Sequence, residues 1–326
     1  MNRTNPRRRL LLAGAGGALT APLLSRAGFE VDGPARRRPG AAKSVLLDVA
    51  LAGARVVAVG ERGHVLLSDD AGASWRQAPS VPTRSTLTSL HAADARTLWA
   101  AGHGGVILRS DDAGESWTVL AGRADGPDVL LAIRVESDGH GLAIGGFGIA
   151  LATADAGGAW KAAPLLPGEA GERHLNRILV SGAGSWLIAA EGGQVLRSSD
   201  RGGHWSAIKT PYGGSLWTGV ALTDGTLVVG GMRGNVLRSS DDGLSWSHHA
   251  VAGAGSLTGA AVLGDGRPVL VGVDGTLVVG DTGARSFALR RLDDRVTLTA
   301  AVALPGAARS LVASSLSGMR VVEVAP

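Results

Sequence analysis

The chain has no cysteine, only one tyrosine, and aromatic residues at just 4% of its 326 positions. The missing thiols exclude disulfides, thiolate metal sites and cysteine nucleophiles. The few aromatic rings argue against a sugar-binding cleft, which normally exposes several rings for stacking. The fold must therefore be stable without disulfide cross-links.

The sequence also has no hydrophobic run long enough to span a membrane. Its longest apolar stretch lies near the start of the chain. Arg7, Arg8 and Arg9 precede an apolar stretch over 10–24, and Ser25-Arg26-Ala27 follows it. This pattern predicts an export signal over 1–27, cleaved before Gly28, because the stretch is shorter than the ~20 residues that a spanning helix needs. The paired arginines resemble a twin-arginine signal, with a general secretory signal as the alternative. We expect an exported protein of the periplasm or a comparable lumen.

An excess of charge is absent from the predicted mature chain. The full sequence has 32 basic and 28 acidic residues, but five basic residues and no acidic ones precede residue 28. That leaves 27 basic against 28 acidic residues. A protein near neutrality has no overall attraction for nucleic acid, so we expect no nucleic-acid partner.

One short phrase recurs at nearly constant spacing along the rest of the chain. It reads SDDAGASW from Ser68, SDDAGESW from Ser110, TADAGGAW from Thr153, SSDRGGHW from Ser198 and SSDDGLSW from Ser239, and a worn sixth copy ends at Phe287. The aromatic residues step by 41 to 45 positions. A repeat of this length is typical of a four-stranded unit, so the pattern indicates a β-propeller.

The conserved spacing within the phrase has a structural interpretation. An aspartate two residues before a glycine can bond the backbone N–H groups of a tight turn, while the glycine supplies a positive φ. A tryptophan three residues later can pack between neighbouring repeats. The pattern resembles the Asp-box of bacterial neuraminidase repeats. We therefore interpret as structural, and not catalytic, the residues Asp70, Trp75, Asp112, Trp117, Asp155, Trp160, Asp200, Trp205, Asp241 and Trp246.

Apolar runs bounded by glycine pairs precede each phrase and predict the remaining strands of each repeat. Seven inner strands can be counted, so we predict an all-β fold, a seven-bladed β-propeller with four-stranded antiparallel blades over 44–326. The last repeat stops after its third strand. We expect the N-terminal segment 28–43 to contribute there, with 29–31 supplying the missing outer strand and 33–43 serving as a linker.

In such a propeller, the turns between second and third strands and the connections between blades emerge on one face. Loops on a rigid scaffold are where recognition usually lies. Arginine recurs on several of these segments, which would form a basic patch suited to acidic protein loops or lipid headgroups. The candidate partner-binding residues are Arg62, Arg84, Arg173, His174, Tyr212, Arg233 and Asn235.

The repeats, the glycine-bounded hairpins and the segment GMRGN at 231–235 resemble the photosystem II stability and assembly factor family and its relatives in other bacteria. The resemblance implies an exported, non-enzymatic, seven-bladed propeller that binds a newly made membrane protein. It also implies an arginine-rich binding face, which by position would include Arg233, Arg62 and Arg84. We expect a monomer with no cofactor, no metal and no small-molecule substrate.

A sialidase-like glycoside hydrolase or a glycan-binding propeller is the alternative, because Asp-boxes occur in that class. A sialidase needs a tyrosine nucleophile with a glutamate partner, and this chain has only Tyr212. Hydrolysis by two carboxylates would need an acidic pair near the channel. The acidic candidates are Glu61, Asp128, Glu136, Glu191 and Asp274, and nothing in their sequence context distinguishes them.

Overall fold

A computed structural model describes residues 32–122 and 128–324. Within these residues, 27 strands form seven antiparallel sheets, and each sheet keeps its strands in chain order. The predicted seven-bladed β-propeller is therefore confirmed. The predicted export signal at 1–27 and the predicted closing strand at 29–31 lie outside the described residues. No helix in the described part of the chain is long and apolar enough to cross a membrane.

Six blades have four strands. Blade 1 has β1 (Leu46–Ala52), β2 (Arg55–Gly60), β3 (Val65–Ser68) and β4 (Arg76–Gln77). Blade 2 has β5 (Leu87–Ala92), β6 (Leu98–Gly102), β7 (Ile107–Ser110) and β8 (Thr118–Ala121). Blade 3 has β9 (Leu130–Val135), β10 (Gly141–Gly145), β11 (Ala150–Thr153) and β12 (Lys161–Ala162). Blade 4 has β13 (Leu175–Val180), β14 (Trp186–Ala190), β15 (Gln194–Ser198) and β16 (Ser206–Lys209).

Blade 5 has β17 (Leu216–Ala221), β18 (Leu227–Gly231), β19 (Asn235–Ser239) and β20 (Ser247–Ala250). Blade 6 has β21 (Leu257–Val262), β22 (Pro268–Gly272), β23 (Thr276–Gly280) and β24 (Phe287–Arg291). Blade 7 has three strands in the described residues, β25 (Leu298–Ala303), β26 (Ser310–Ser315) and β27 (Gly318–Glu323). The described helices are short 3-10 turns, at Ala41–Lys43, Glu61–Gly63, Gly146–Gly148, Gly168–Gly171, Glu191–Gly193, Met232–Gly234 and Val273–Gly275.

The second strand of each blade is almost entirely buried, because both faces of every sheet pack against neighbouring blades. All five residues of β6 and of β14 are buried. Such strands read as continuous apolar runs and not as alternating ones. This explains why the sequence shows runs such as LWAAG and WLIAA immediately before each glycine-rich turn.

The first strands line the central channel and contact one another in a closed ring, from β1 through to β25 and back to β1. Each carries a bulge directly after a buried leucine. A bulge re-aims a side chain out of the regular pleat. The seven bulged residues line the channel; they are Leu47, Thr88, Leu131, Asn176, Trp217, Thr258 and Thr299.

Four of these channel residues donate a hydrogen bond to the next blade. Asn176 Nδ2 donates to the Leu216 carbonyl at 2.8 Å, and Thr258 Oγ1 donates to the Leu298 carbonyl at 2.6 Å. The Thr88 hydroxyl makes the same contact from blade 2 to blade 3. Thr299 Oγ1 donates to the Leu46 carbonyl at 2.7 Å and so links the last blade to the first. These bonds join inner strands that the sheet ladders do not connect.

The Asp-box turns have the predicted hydrogen bonds. In the first, Asp70 Oδ1 accepts from the Ser74 amide and from the Ser68 hydroxyl, each at 2.8 Å, and Gly72 N–H donates to Ser68 Oγ at 2.8 Å. Trp75 Nε1 donates to the Gly72 carbonyl at 3.1 Å. The Ser74 hydroxyl also donates to Asp70 Oδ2 at 2.5 Å, and the bonds from the Ser74 hydroxyl, the Ser74 amide and the Ser68 hydroxyl lower the pKa of Asp70 to about 2. The carboxylate is thus committed to holding the turn.

Neighbouring blades are joined by arginines that reach the next Asp-box turn. Arg109 Nη1 donates to the Ala156 carbonyl at 3.1 Å, and Arg238 Nε donates to the Gly283 carbonyl at 2.8 Å. Arg197 makes the same contact between blades 4 and 5. The sequence showed this repeated arginine in the LRS tripeptides that precede three of the Asp-boxes.

The predicted linker at 33–43 is hydrogen-bonded to blade 1. Ala35 N–H donates to the Val81 carbonyl at 2.9 Å, and Arg38 N–H donates to Gln77 Oε1 at 3.0 Å. The segment therefore lies along the outer side of blade 1. Its short helix, Ala41–Lys43, then contacts both β4 and β27, at the junction of the first and last blades.

Candidate functional site

The turns between second and third strands lie on the same face as the connections between blades, because the two are hydrogen-bonded. Gly148 N–H donates to the Arg173 carbonyl at 2.9 Å, and Met232 N–H donates to the Ser215 carbonyl at 3.2 Å. We call this surface the connection face. It carries all seven predicted partner-binding residues, Arg62, Arg84, Arg173, His174, Tyr212, Arg233 and Asn235.

The Asp-box turns lie at the opposite end of the sheets, on what we call the Asp-box face. They bond there to the turns between first and second strands. Ala113 N–H donates to the Arg96 carbonyl at 2.8 Å, and Ala156 N–H donates to the Gly139 carbonyl at 2.9 Å. The Asp-box turns are thus separated from the turns between second and third strands by the full length of the strands.

Tyr212, Arg233 and Asn235 come together between blades 4 and 5. The Tyr212 ring stacks on His248 with 5.6 Å between ring centroids, and its hydroxyl donates to the Met232 carbonyl at 3.2 Å. Asn235 Oδ1 lies 2.6 Å from His248 Nε2. Burial raises the pKa of the Tyr212 phenol, while nearby Arg233 acts in the opposite direction. His248 is not one of the seven predicted partner-binding residues.

Arg173 and His174 form the neighbouring part of the face. The His174 amide donates to Glu191 Oε2 at 3.2 Å, and Arg173 Nη1 lies 3.5 Å from the Glu191 carbonyl. The ring of Phe147 lies against His174, with 4.7 Å between centroids. Phe147 is 78% exposed, the most exposed large hydrophobic residue in the described structure. It therefore offers an apolar contact beside the arginine.

Arg62 and Arg84 lie at blade 1, where a turn and a connection meet. Gly63, next to Arg62, packs directly on the Thr83 carbonyl, where a Cβ would not fit. Arg84 Nε donates to the Asp32 carbonyl at 2.8 Å. The adjoining segment adds three further exposed arginines, at positions 36, 37 and 38. These three arginines lie along the outer side of blade 1, where Arg38 N–H and the Arg36 carbonyl bond the Gln77 side chain.

Three large side chains stand at turn positions with left-handed backbone. Arg62 has φ 56°, Phe147 has φ 53° and Arg233 has φ 55°. The equivalent residue is glycine in blades 2 and 4, where Gly104 and Gly192 have φ of 73° and 69°. For a residue other than glycine this conformation costs about 1–2 kcal/mol. Each of these three turns therefore carries a large side chain at a position where glycine would avoid this conformational cost.

The arginines of the two faces differ in their partners. On the Asp-box face, Arg109 pairs with Asp111 at 2.7 Å and Arg201 pairs with Asp138 at 2.8 Å. On the connection face, the guanidinium groups of four arginines form no ion pair with a carboxylate of the described residues; these are Arg62, Arg84, Arg173 and Arg233. Arg291 and Arg295, also on this face, pair with Asp274.

Among the described residues, the tyrosine and the acidic side chains that a sialidase-like site would need are not hydrogen-bonded to one another. Tyr212 donates its hydroxyl to a backbone carbonyl, and burial raises its pKa, which opposes formation of a phenolate nucleophile. Glu136 pairs with Arg134 at 2.6 Å, and Asp274 pairs with two arginines. In the described structure, none of the acidic candidates is hydrogen-bonded to Tyr212 or to another carboxylate.

An ion pair crosses the central channel. Arg177 Nη1, from blade 4, lies 3.1 Å from Asp48 Oδ2, from blade 1. Asp48 is 2% exposed and also accepts from the amide of Leu90 in blade 2 at 2.9 Å. A cavity of ≈390 Å³ lies beside Arg177 and is lined mostly by alanine and aliphatic residues. One carboxylate thus connects three blades.

Comparison with known proteins agrees with this architecture. A family model described as photosynthesis system II assembly factor YCF48 matches residues 124–280. The predicted resemblance is confirmed. No curated protein matches the chain. Among solved structures, YCF48 bound to a D1 peptide is similar with a TM-score of 0.69 and 16% identity, over 92% of this chain and 100% of that one.

Two further structures share the fold. YCF48 from Cyanidioschyzon merolae has a TM-score of 0.63 and 16% identity, over 89% of this chain and 98% of that one. The propeller domain of Cps50 (Swd1) from Myceliophteria thermophila has a TM-score of 0.67 and 14% identity, over 86% and 98%. The Cps50 domain is not described as a YCF48 protein, yet its TM-score is similar to those of the two YCF48 structures. The structural similarity therefore shows the fold and nothing more specific. The family model is what singles out YCF48.

Proposed function

We propose that this YCF48-like propeller is an exported, non-enzymatic factor that binds a segment of a membrane protein and assists assembly or stability of its complex. The connection face is the binding surface, and Arg62, Arg84, Arg173 and Arg233 are its charged contacts. The protein acts as a monomer. The family match and the YCF48 structure with a D1 peptide support a membrane protein as the kind of partner.

The observation that carries this proposal is the difference between the two faces. Arginines on the Asp-box face pair with carboxylates or bond the next blade, so they contribute to the fold. Arg62 and Arg233 occupy strained turn positions, and their side chains make no hydrogen bond to the described residues. A residue held in a costly conformation without an internal contact is typical of a binding site. An acidic or polar protein segment fits these planar cations.

Substitution by glycine tests the proposal without damaging the turn. In the mature protein, Arg62→Gly with Arg233→Gly removes two side chains from positions where glycine is the better residue. Relief of the left-handed strain and the extra freedom of the unfolded chain nearly cancel, so the melting temperature should stay the same or rise slightly. Capture of an integral membrane protein from solubilised membranes should fall at least tenfold.

Arg201→Gly is the matched control, because Arg201 has the same backbone conformation, with φ 58°, on the Asp-box face. Its capture should equal that of the unchanged protein. Equal capture by the double variant, or equal loss with Arg201→Gly, would show that the connection face is not the binding surface. Turnover of glycosides by the purified protein would instead support the hydrolase.

A further inference from the structure

Blade 7 has an open outer edge in the described part of the chain. The other six blades each end in a fourth strand, whereas β27 is the outermost strand of blade 7. An edge strand presents unpaired N–H and C=O groups and is a template for pairing with another strand.

The register of β27 shows which backbone groups face outward. Its pairs with β26 begin at Ser315 and Gly318, across a two-residue turn, and the Val324 amide donates to the Arg309 carbonyl at 2.9 Å. Paired residues alternate between hydrogen-bonded and non-bonded positions in an antiparallel ladder. The outward N–H and C=O groups therefore belong to Met319, Val321 and Glu323.

The described N-terminal residues do not fill this edge. Residues 32–38 bond to blade 1, where Asp32 Oδ1 accepts from Thr83 Oγ1 at 2.8 Å and Ala35 bonds Val81. Residues 41–43 reach only the beginning of β27, where Gly318 packs against the Ala42 carbonyl. The predicted closing strand at 29–31 lies outside the described residues.

We propose that β27 binds an extended segment of the partner membrane protein by β-strand addition. This inference rests on the proposed function, because the edge continues the connection face. Leu316, in the turn that leads into β27, is 51% exposed on that face. A segment that binds the connection face can thus continue along the rim of blade 7. Backbone hydrogen bonds supply affinity in this mode, and side chains supply specificity.

The residues around the edge of β27 indicate which side chains the partner segment should carry. Val321 is 46% exposed and requires an apolar side chain opposite it. Lys43 is exposed and adjoins the Gly318 end, where it favours a carboxylate. Because β27 runs away from the connection face, an antiparallel segment would carry this carboxylate near its C-terminal end. The partner segment is therefore extended, about five residues long and without proline at the bonded positions.

A blocked pentapeptide, Ac-SFALE-amide, is a suitable probe. It takes SFAL from the start of the outer strand of blade 6 and adds the carboxylate. In the isolated mature protein, the amides of Met319, Val321 and Glu323 should exchange rapidly with deuterium. At millimolar peptide, NMR should show slower exchange at these three amides, and a peptide with N-methyl alanine should have no effect.

Val321→Pro is the decisive variant. It removes an outward N–H that β26 does not use, and proline is tolerated on edge strands. Binding of the pentapeptide should weaken at least tenfold, whereas Val321→Thr, which keeps the N–H, should change it less than threefold. A melting curve checks that both variants fold. If Val321→Pro unfolds the blade, N-methylation of the peptide alanine still tests the pairing, because it removes the N–H that would donate to the Val321 carbonyl, the second bond of the same residue pair.

Three results would overturn the proposal. The three amides could be protected in the isolated protein, which would mean that the chain fills its own edge. Their protection could disappear on dilution, which would mean that a second copy fills it. Membrane-protein capture could be unaffected by Val321→Pro but lost with Arg62→Gly and Arg233→Gly, which would refute the edge and leave the proposed function intact.

Discussion

Removal of the Asp48 carboxylate should weaken the whole ring, because this group connects three blades. In Asp48→Ala, the Leu90 amide loses its acceptor, which costs about 1–3 kcal/mol for a buried donor. Arg177 loses its counter-charge as well, and breaking a buried pair costs about 3–5 kcal/mol. The Arg177 side chain is 35% exposed, so water can replace part of that loss. We therefore expect about 3 kcal/mol in total, less than the sum of about 4–8 kcal/mol that a fully buried pair would give.

The assay is equilibrium unfolding in urea, arranged as a double-mutant cycle with Arg177→Met. In the Arg177→Met background, Asp48→Ala should cost only about 1.5 kcal/mol, because the Leu90 and Val49 amides lose their acceptor but no buried charge loses its partner. At roughly 2 °C per kcal/mol for a domain of this size, the single Asp48 variant should melt about 6 °C lower. A cost below about 1 kcal/mol, or the same cost in both backgrounds, would refute this account of the channel.

Two further predictions concern ring closure and acid stability. Thr299→Val removes the hydroxyl that bonds the Leu46 carbonyl and should cost about 1 kcal/mol in urea unfolding; an unchanged midpoint would mean that packing alone joins blades 7 and 1. The pKa of Asp281 is lowered to about 2 by hydrogen bonds from the Ser286 hydroxyl and neighbouring amides. The ionised carboxylate contributes fully to the free energy of unfolding above its unfolded pKa near 4, and this contribution is lost as the pH falls towards about 2. The Asp281→Asn variant lacks this titration, so its stability, followed by circular dichroism, should fall less steeply over that pH interval.

The Asp-box repeat could be predicted from the sequence because its contacts are local. Ser68, Asp70, Gly72 and Ser74 bond one another within seven residues, so their spacing already contains the geometry. Even the worn sixth copy keeps the turn, because Asp281 accepts from the amides of Gly283, Arg285 and Ser286. Five copies in register then determine the period and, with it, the number of blades.

The channel could not be predicted in the same way. Asp48 and Arg177 are 129 residues apart, and each looks like an isolated polar residue in an apolar strand. The bulged positions include Leu47, Leu131 and Trp217 among the threonines and the asparagine, so no residue type marks them. Their shared orientation follows from the bulge, which is a property of strand pairing and not of the strand sequence.

The sequence predicted which face of the propeller carries the candidate site, but not which side chains contact one another there. Propeller topology alone places the turns between second and third strands on the same face as the connections between blades. The positions of Arg62, Tyr212 and Arg233 on that face could therefore be predicted. The pairing of Tyr212 with His248 depends on how the outer strand of blade 5 packs against the connection that precedes this blade. The role of 32–38 depends on hydrogen bonds to blade 1, and a proline- and arginine-rich composition does not specify them.

The left-handed residues show how the two faces divide structure from recognition. On the Asp-box face, these positions carry alanine, the smallest side chain, or a residue that contributes a hydrogen bond, as Arg201 does to Asp138 and Asp242 does with Ser185. A small or bonded side chain at such a position is explained by the turn itself. On the connection face, Arg62 and Arg233 pay the same conformational cost without a bond to the described residues, and glycine would serve the turn better. Because these two side chains make no hydrogen bond to the described residues, their placement supports the proposed binding surface.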